Sequence, residues 1–335
     1  MNMNNLYFMR TNCLLGLHRS ICLSHYPEGQ YPSSIPKSAF SRPMNLLPVS
    51  EVFKLYQELE LHTKNPDFLI DSVANFRLEE FGDLGRWMFS GHDLMSSIRK
   101  INYGMACMQS GAFWAAISSG SLIKWSYTTS YNMGELGIHD SVRAAILMIT
   151  VLKTHLGQDF TPMRVFLAGN RENMELYQKT FGCEITWDHN QTEVWFHSKS
   201  KLTKYSEKQD AKQTFSLSFD YLDDCLNMPM PGDNTKLVYE IINYACHFGL
   251  PTLSRVSQLL GLSTQQFQRR FHQYGHNFSE MCGYVLTNKA VKMLTNSVPV
   301  DEVSKELGYN HLDSFTHMFK KHRGVTPKQY VRSLE

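Results

Sequence analysis

The chain has no Cys-x-x-Cys pair, no apolar run of membrane length and no local catalytic signature. Its seven cysteines (Cys13, Cys22, Cys107, Cys183, Cys225, Cys246 and Cys282) are scattered. An odd number without clustering argues against a disulfide framework or a zinc site, and for a reducing compartment. No stretch approaches the ~20 apolar residues that a membrane span requires. Residues 6–23 are broken by Arg10, Asn12, His18 and Arg19, a poor pattern for a signal peptide. A cytoplasmic protein without a membrane partner is therefore expected. A Gly-x-Ser-x-Gly elbow and a phosphate-cradling Gly-x-x-x-x-Gly-Lys-Ser/Thr loop are both missing. His139, Asp140, His189 and His197 lack the spacing of metal ligands. No enzyme, cofactor or metal is expected.

The sequence also lacks a strong charge of one sign. Its 33 Lys/Arg and 31 Asp/Glu leave +2 over 335 residues, a length that suggests two domains. The charge is unevenly shared. Residues 235–335 hold twelve Lys/Arg against seven Asp/Glu, with six histidines, whereas the first 234 carry a balance of −3. A basic end on an acidic remainder fits a nucleic-acid-binding part joined to something else.

What is present is a repeated unit within residues 253–330. Leu253, Val256, Leu259 and Leu260 keep helical period up to Gly261, and a second helix then opens at Ser263, Thr264, Gln265 and Gln266 and carries Phe267 and Phe271. Further on, Val303 and Leu307 lead to Gly308, and Asn310, His311, Leu312 and Asp313 open a helix carrying Phe315 and Phe319. Helix, glycine-bearing turn, helix is the bihelical DNA-reading arrangement. Ser263 with Gln266 forms a capping-box pattern, and Asn310 with Asp313 offers a similar pair. Each phenylalanine pair, four residues apart, marks a buried face. Thr264, Gln265, Gln268, Arg269 and His272 are left outward on the first helix. His311, Leu312, Ser314, His317, Lys320 and Lys321 are left outward on the second. One such helix is more simply the solvated face of a small bundle; two phased copies favour DNA reading, to which Gln, Arg and His are suited.

This region resembles the DNA-binding domain of AraC/XylS-type transcription regulators over about residues 235–333. The resemblance rests on the run from Ser263 to Phe271 and on the block from Gly308 that closes on Gly324, Thr326 and Pro327. It implies a bacterial, all-α domain of seven helices, with two helix-turn-helix units joined by a linking helix near residues 278–296. Both recognition helices would meet one face of promoter DNA in successive major-groove segments, roughly 34 Å apart. Base contacts are then expected from Thr264, Gln265, Gln268, Arg269, His311, Leu312, Ser314 and His317, with Arg269 and Gln268 foremost. Phosphate contacts are expected from Arg270, Lys320, Lys321 and Arg323. His317 stands where the family usually has Arg, Asp313 where it has Ser, and Leu286 where it has Arg. Asp313 would be repelled by phosphate if it faced DNA, so it is read as a cap.

Residues 1–34 read as an irregular segment. From residue 35 to 198 the pattern is mixed: a helix from Pro48 with Val52, Phe53, Leu55, Tyr56 and Leu59 on one stripe, a hairpin broken at Gly120 and Ser121, and an apolar helix over 142–156. Short strands follow at 164–167 and 193–196, around a helix at 172–180. This α+β part resembles the effector-binding regulatory domain of a subset of AraC-type regulators. The residues are Gly157, Pro162 and Val165, then Tyr177, Phe181, Gly182 and Cys183, and then 187–196. The resemblance implies an unidentified small-molecule effector. Trp87, Phe113, Trp114, Trp125 and Tyr127 are candidates to line its pocket, although such aromatics are more often core. Residues 199–234, polar and Lys-rich up to 218, read as an insertion or linker. The expected function is sequence-specific transcription regulation under effector control, with RNA polymerase as a partner if the protein activates, and a homodimer allowed. The alternatives are a ligand-independent regulator whose N-terminal domain only dimerises or docks a protein, and an enzyme fused to a DNA-targeting domain. DNA-repair methyltransferases that carry an AraC-like domain are set apart by their zinc-bound cysteine cluster.

Overall fold

The structure, a computed structural model, describes residues 6–24, 33–73, 76–132, 134–202 and 219–334. Most of the 199–218 insertion lies outside the described residues. The chain divides into two compact units, one of residues 7–228 and one built on residues 229–335. The sequence reading places that boundary at 235.

In the first unit, strand β1 (Phe8–Arg10) is followed by helix α1 (Leu15–Ser24) and strand β2 (Leu46–Pro48), which pairs antiparallel with β1. The described part of the segment read as irregular is thus folded, and this corrects that expectation. Phe8 and Met9 are fully buried. Arg10, which looks like an interruption in an apolar stretch, is buried and donates to the Met44 carbonyl at 2.6 Å, the Cys107 carbonyl at 2.7 Å and the Asp224 carbonyl. A guanidinium whose N–H groups meet carbonyls can lie in a core that would reject it unpaired.

Helix α2 (Val49–Thr63) buries Val52, Phe53, Leu55, Tyr56 and Leu59, the stripe that its spacing predicts. Short helix α3 (Phe68–Asp71), α4 (Gly82–Phe89) and α5 (Leu94–Gly104) follow, the last capped by Asp93, whose side chain accepts from Ser96 N–H at 2.7 Å. Gly82 and Gly85 lie at the start of α4 and inside it. Strands β3 (Ala112–Ser119) and β4 (Leu122–Thr129) form the expected hairpin around Gly120. Helix α6 (Gly137–Leu156) runs through the core, followed by β5 (Arg164–Phe166), α7 (Met174–Phe181), β6 (Ile185–Thr186), β7 (Thr192–His197) and α8 (Phe219–Leu226). The sheet order is β3-β4-β7-β5-β6, antiparallel except for β5 with β6. On its inner face Ile123, Trp125, Tyr127, Val165, Val194 and Phe196 are buried. Helix α6 carries a charged pair into that core: Arg143 donates to Asp140 at 2.7 Å and to Gln109 Oε1 at 2.8 Å. Tyr127 OH donates to Asp140, and Gln109 Nε2 donates to Tyr127 OH at 2.8 Å, so the buried charges are paired and hydrogen-bonded.

The second unit is helical: α9 (Asn234–Ala245), α10 (Leu253–Leu259), α11 (Thr264–Gln273), α12 (Phe278–Thr295), α13 (Val300–Glu306), α14 (Leu312–Arg323) and α15 (Pro327–Arg332). The seven helices and the linking helix α12 agree with the sequence reading. Helix α12 is the spine, packing against α9, α13, α14 and α15. It buries Cys282, Val285, Leu286, Ala290 and Leu294.

Candidate nucleic-acid interface

The site grows from two turns with the same backbone device. In the first, Leu260 N–H donates to Val256 O at 3.1 Å, Gly261 N–H to Gln258 O at 3.0 Å and Leu262 N–H to Ser257 O at 2.9 Å. In the second, Leu307 N–H donates to Val303 O at 3.0 Å, Gly308 N–H to Lys305 O at 2.9 Å and Tyr309 N–H to Ser304 O at 3.0 Å. Gly261 sits at φ +62° and Gly308 at φ +86°, the left-handed conformation that closes a helix most cheaply with glycine. At Gly308 space is short as well: a Cβ there would lie 2.7 Å from Leu250 N and 3.1 Å from Gly249 C.

After these turns the copies diverge. The first re-enters helix through the predicted capping box, with Gln266 N–H donating to Ser263 Oγ at 3.2 Å and Ser263 N–H to Gln266 Oε1 at 3.0 Å. The second turn is one residue longer. The N-cap of α14 is His311, without a side-chain capping bond, and Asp313 lies in the first helical turn. The expectation that Asn310 and Asp313 act as a cap pair is corrected: the extra residue moves the helix start past Asn310. Asp313 is left to interact with the positive end of the α14 dipole.

Phe267 and Phe271 are buried with rings 5.3 Å apart, and Phe315 and Phe319 are buried with rings 5.9 Å apart. Phe267 also meets Phe278 at the start of α12, and Phe319 meets Tyr330 of α15. These contacts fix the rotation of α11 and α14, and so decide what each helix turns outward. Thr264, Gln265, Gln268, Arg269 and His272 are exposed on α11, and Arg270 is half-buried. His311, Ser314, His317, Lys320, Lys321 and Arg323 are exposed at α14, and Leu312 is half-buried. Arg323 donates to Asn288 Oδ1 on the spine at 3.0 Å. Lys320, Lys321, His322 and Arg323 crowd the last turn of α14, where the negative dipole end favours cations. The first turn of α11 carries no acidic residue. Sequence reasoning passed over Arg255 on α10, whose guanidinium lies 4.5 Å from the Phe248 ring centre.

In the first unit the aromatic candidates separate. Trp114, Trp125 and Tyr127 are buried together, Trp114 lying 6.2 Å from Trp125 and 4.8 Å from Tyr127. Phe113 is 60% exposed on the opposite face of the sheet, as strand alternation requires. Trp87 is half-buried on α4 beneath the Lys100 ammonium. An open groove of about 590 Å³ lies elsewhere, lined by Gln57, Glu60, Leu61, Pro66, Glu135, Leu136 and Arg171. Its residues come from four separated stretches, so no local pattern announces it. Arg171 donates to Glu60 Oε1 at 2.9 Å, and buried His139 Nε2 lies 2.9 Å from the same oxygen. Burial, and after it the Arg171 charge, push the His139 pKa down to about 3. His139 is therefore neutral near pH 7, so its contact with Glu60 is not an ion pair, and Arg171 Nη2 lies 2.9 Å from the same His139 Nε2. Burial raises the Glu60 pKa, which Arg171 counteracts.

Two family profiles cover these units. One described as "Helix-turn-helix domain" matches residues 256–333, and one described as "Arabinose-binding domain of AraC transcription regulator, N-term" matches residues 33–200, half of the chain. The chain belongs to the AraC-type transcription regulators. An uncharacterized HTH-type transcriptional regulator of Mycobacterium tuberculosis is 34% identical over 83 residues, 24% of each chain. The HTH-type transcriptional regulator GadX of Escherichia coli is 23% identical over 141 residues, 40% of this chain and 51% of its own. The DNA-binding dual transcriptional regulator Rns, also of Escherichia coli, is 29% identical over 80 residues, 24% and 30% of the two chains. The match thus spans about a quarter to a half of these relatives' own length. The crystal structure of transcriptional regulator CdpR from Pseudomonas aeruginosa aligns over 96% of this chain and 98% of its own, with 14% identity and a TM-score of 0.45. The chain thus carries an arabinose-binding-like N-terminal domain and a C-terminal helix-turn-helix domain. Among the described residues no helix is long and apolar enough to cross a membrane, and no group of three or more His, Cys, Asp or Glu could hold a metal ion.

Proposed function

We propose that the protein reads a promoter site through α11 and α14 together and that a small molecule held by the N-terminal unit biases this binding. The observation that carries the reading is the pair of matched glycine turns, each delivering a helix whose aromatic face is buried and whose polar face is largely exposed. In this reading Thr264, Gln265, Gln268 and Arg269 on α11, and His311, Leu312, Ser314 and His317 at α14, meet base edges, which the exposure of all but half-buried Leu312 supports. Arg270, Lys320, Lys321 and Arg323 serve the phosphates, which set position rather than sequence. The groove at Glu60 and Arg171 supports effector control, because its volume suits a small molecule and its floor offers both a donor and an acceptor. An effector acts only if it prefers one state of the protein. The close packing of Trp114, Trp125 and Tyr127 favours a second reading, in which the N-terminal unit needs no ligand there and only dimerises or docks a partner.

The test is sequencing of genomic DNA captured by the full-length protein at a stated salt concentration. Enriched sites with two half-elements about one helical turn (~34 Å) apart are expected. Capture without sequence enrichment, with or without added cell extract as a source of effector, would overturn the reading.

A further inference from the structure

Gly283, the sixth of the 18 residues of α12, stands where the backbone has no need of glycine. It lies in ordinary α-helix, and in a helix interior alanine is the more stable choice. What sets the position apart is its neighbour. A Cβ there would lie 2.0 Å from His322 Nε2, 2.6 Å from His322 Cε1 and 2.8 Å from His322 Cδ2. Non-bonded carbon atoms settle at about 3.5–4.0 Å. The half-buried His322 ring, in the last turn of α14, therefore rests on the bare backbone of the spine, in space that any side chain at 283 would fill. Two further contacts join the same helices. Thr287 Oγ1, one turn on from Gly283, donates to the Gly283 carbonyl at 2.6 Å and lies 3.2 Å from Met318 Sδ, one turn before His322. Arg323 reaches Asn288 Oδ1 at 3.0 Å.

We propose that Gly283 is a positioning residue for DNA reading: lacking a side chain, it seats His322 against α12 and so sets how far α14 stands out from the spine. The inference rests on the reading in which α14 enters the major groove. Met318 and His322 hold the inner side of α14, while His311, Ser314 and His317 are exposed at the same helix. Hydrogen bonds to base edges keep their strength only within a few tenths of an ångström, so a helix displaced by about 1 Å loses its base contacts while keeping its fold. Helix α11 is anchored elsewhere, by Phe267 against Phe278 at the first position of α12, with ring centres 5.9 Å apart. A side chain at 283 therefore disturbs one reader and spares the other.

The experiment measures the affinity of the full-length protein for a captured genomic target and for versions of it mismatched in one half-element at a time. Arg269→Ala and His317→Ala assign the half-elements to α11 and α14, since each removes discrimination that its own helix supplies. A mismatch at a read position weakens binding by the parent roughly 5-fold or more. In Gly283→Ala the penalty at the α14 half-element is expected to fall to about twofold or less, with the penalty at the α11 half-element retained. Such ratios do not depend on the fraction of protein that is folded, so a loss of stability alone leaves them unchanged. His322→Ala makes room for the added methyl, and the double variant Gly283→Ala/His322→Ala is expected to recover the α14 penalty. Equal loss at both half-elements, no loss at either, or a double variant no better than Gly283→Ala would overturn the role of Gly283 and leave the two-helix reading standing. A parent protein that discriminates at one half-element only would overturn that reading, and this inference with it.

Discussion

Arg269 and Lys320 are both exposed cations, yet they are expected to fail differently when truncated. Arg269, the sixth of the ten residues of α11, is exposed on the outward face of that helix. If it reads a guanine through both nitrogens, Arg269→Ala costs roughly 1–3 kcal/mol at one base pair and relaxes the preference there. Binding measured against a scanned target site checks this, and uniform weakening at all positions would assign Arg269 to the backbone. Lys320 lies in the last turn of α14. Lys320→Ala is expected to weaken all sequences alike and to lower the slope of log affinity against log salt by about 1. Leu286, where the resemblance leads one to expect Arg, is only 4% exposed and packs as a core residue. His139 makes a third expectation. Its folded pKa of about 3 lies below the ordinary value near 6.5, so the unfolded chain takes up the proton first. Stability of the N-terminal unit is therefore complete above pH 6.5 and falls as pH drops towards 3, by up to about 1.4 kcal/mol per pH unit. Urea unfolding of the full chain at several pH values would show this slope, and His139→Phe should flatten it.

At the scale of elements the turns matter most. Gly308→Ala would force a Cβ into the left-handed region and to within 2.7 Å of the Leu250 backbone. A loss of roughly 1–3 kcal/mol is expected, read from the thermal unfolding of the C-terminal unit. The same change at Gly261 meets the same φ restriction. Both turns were legible in the sequence because glycine, apolar period and paired phenylalanines are local signals that need no knowledge of the fold. The start of α14 was not, because a one-residue difference between the copies is invisible until hydrogen bonds are counted: the turns lie 47 residues apart, from Gly261 to Gly308, and the N-caps 48, from Ser263 to His311. Strand alternation correctly placed the β3–β4 hairpin. It also contained the reason why Phe113 and Trp114 could not line one pocket, since neighbours on a strand face opposite ways.

For the whole molecule, what escaped the sequence is what depends on distant partners. Arg10 looks like a surface residue in an interrupted apolar stretch, and only the carbonyls of Met44, Cys107 and Asp224 make it a core residue. The groove at Glu60 and Arg171 likewise joins residues more than a hundred positions apart. The two-unit plan was legible from the shift in charge and period, although the contacts draw the boundary at residue 229. The spine α12 carries the last consequence. Its 18 residues, about 27 Å of helix, join two helix-turn-helix units that present different outward side chains. If α11 and α14 read DNA as proposed, a target read by one chain has a head and a tail. Such a site cannot be its own reverse complement, so the orientation in which it is written on the chromosome is itself a message, telling the protein which way along the DNA it faces.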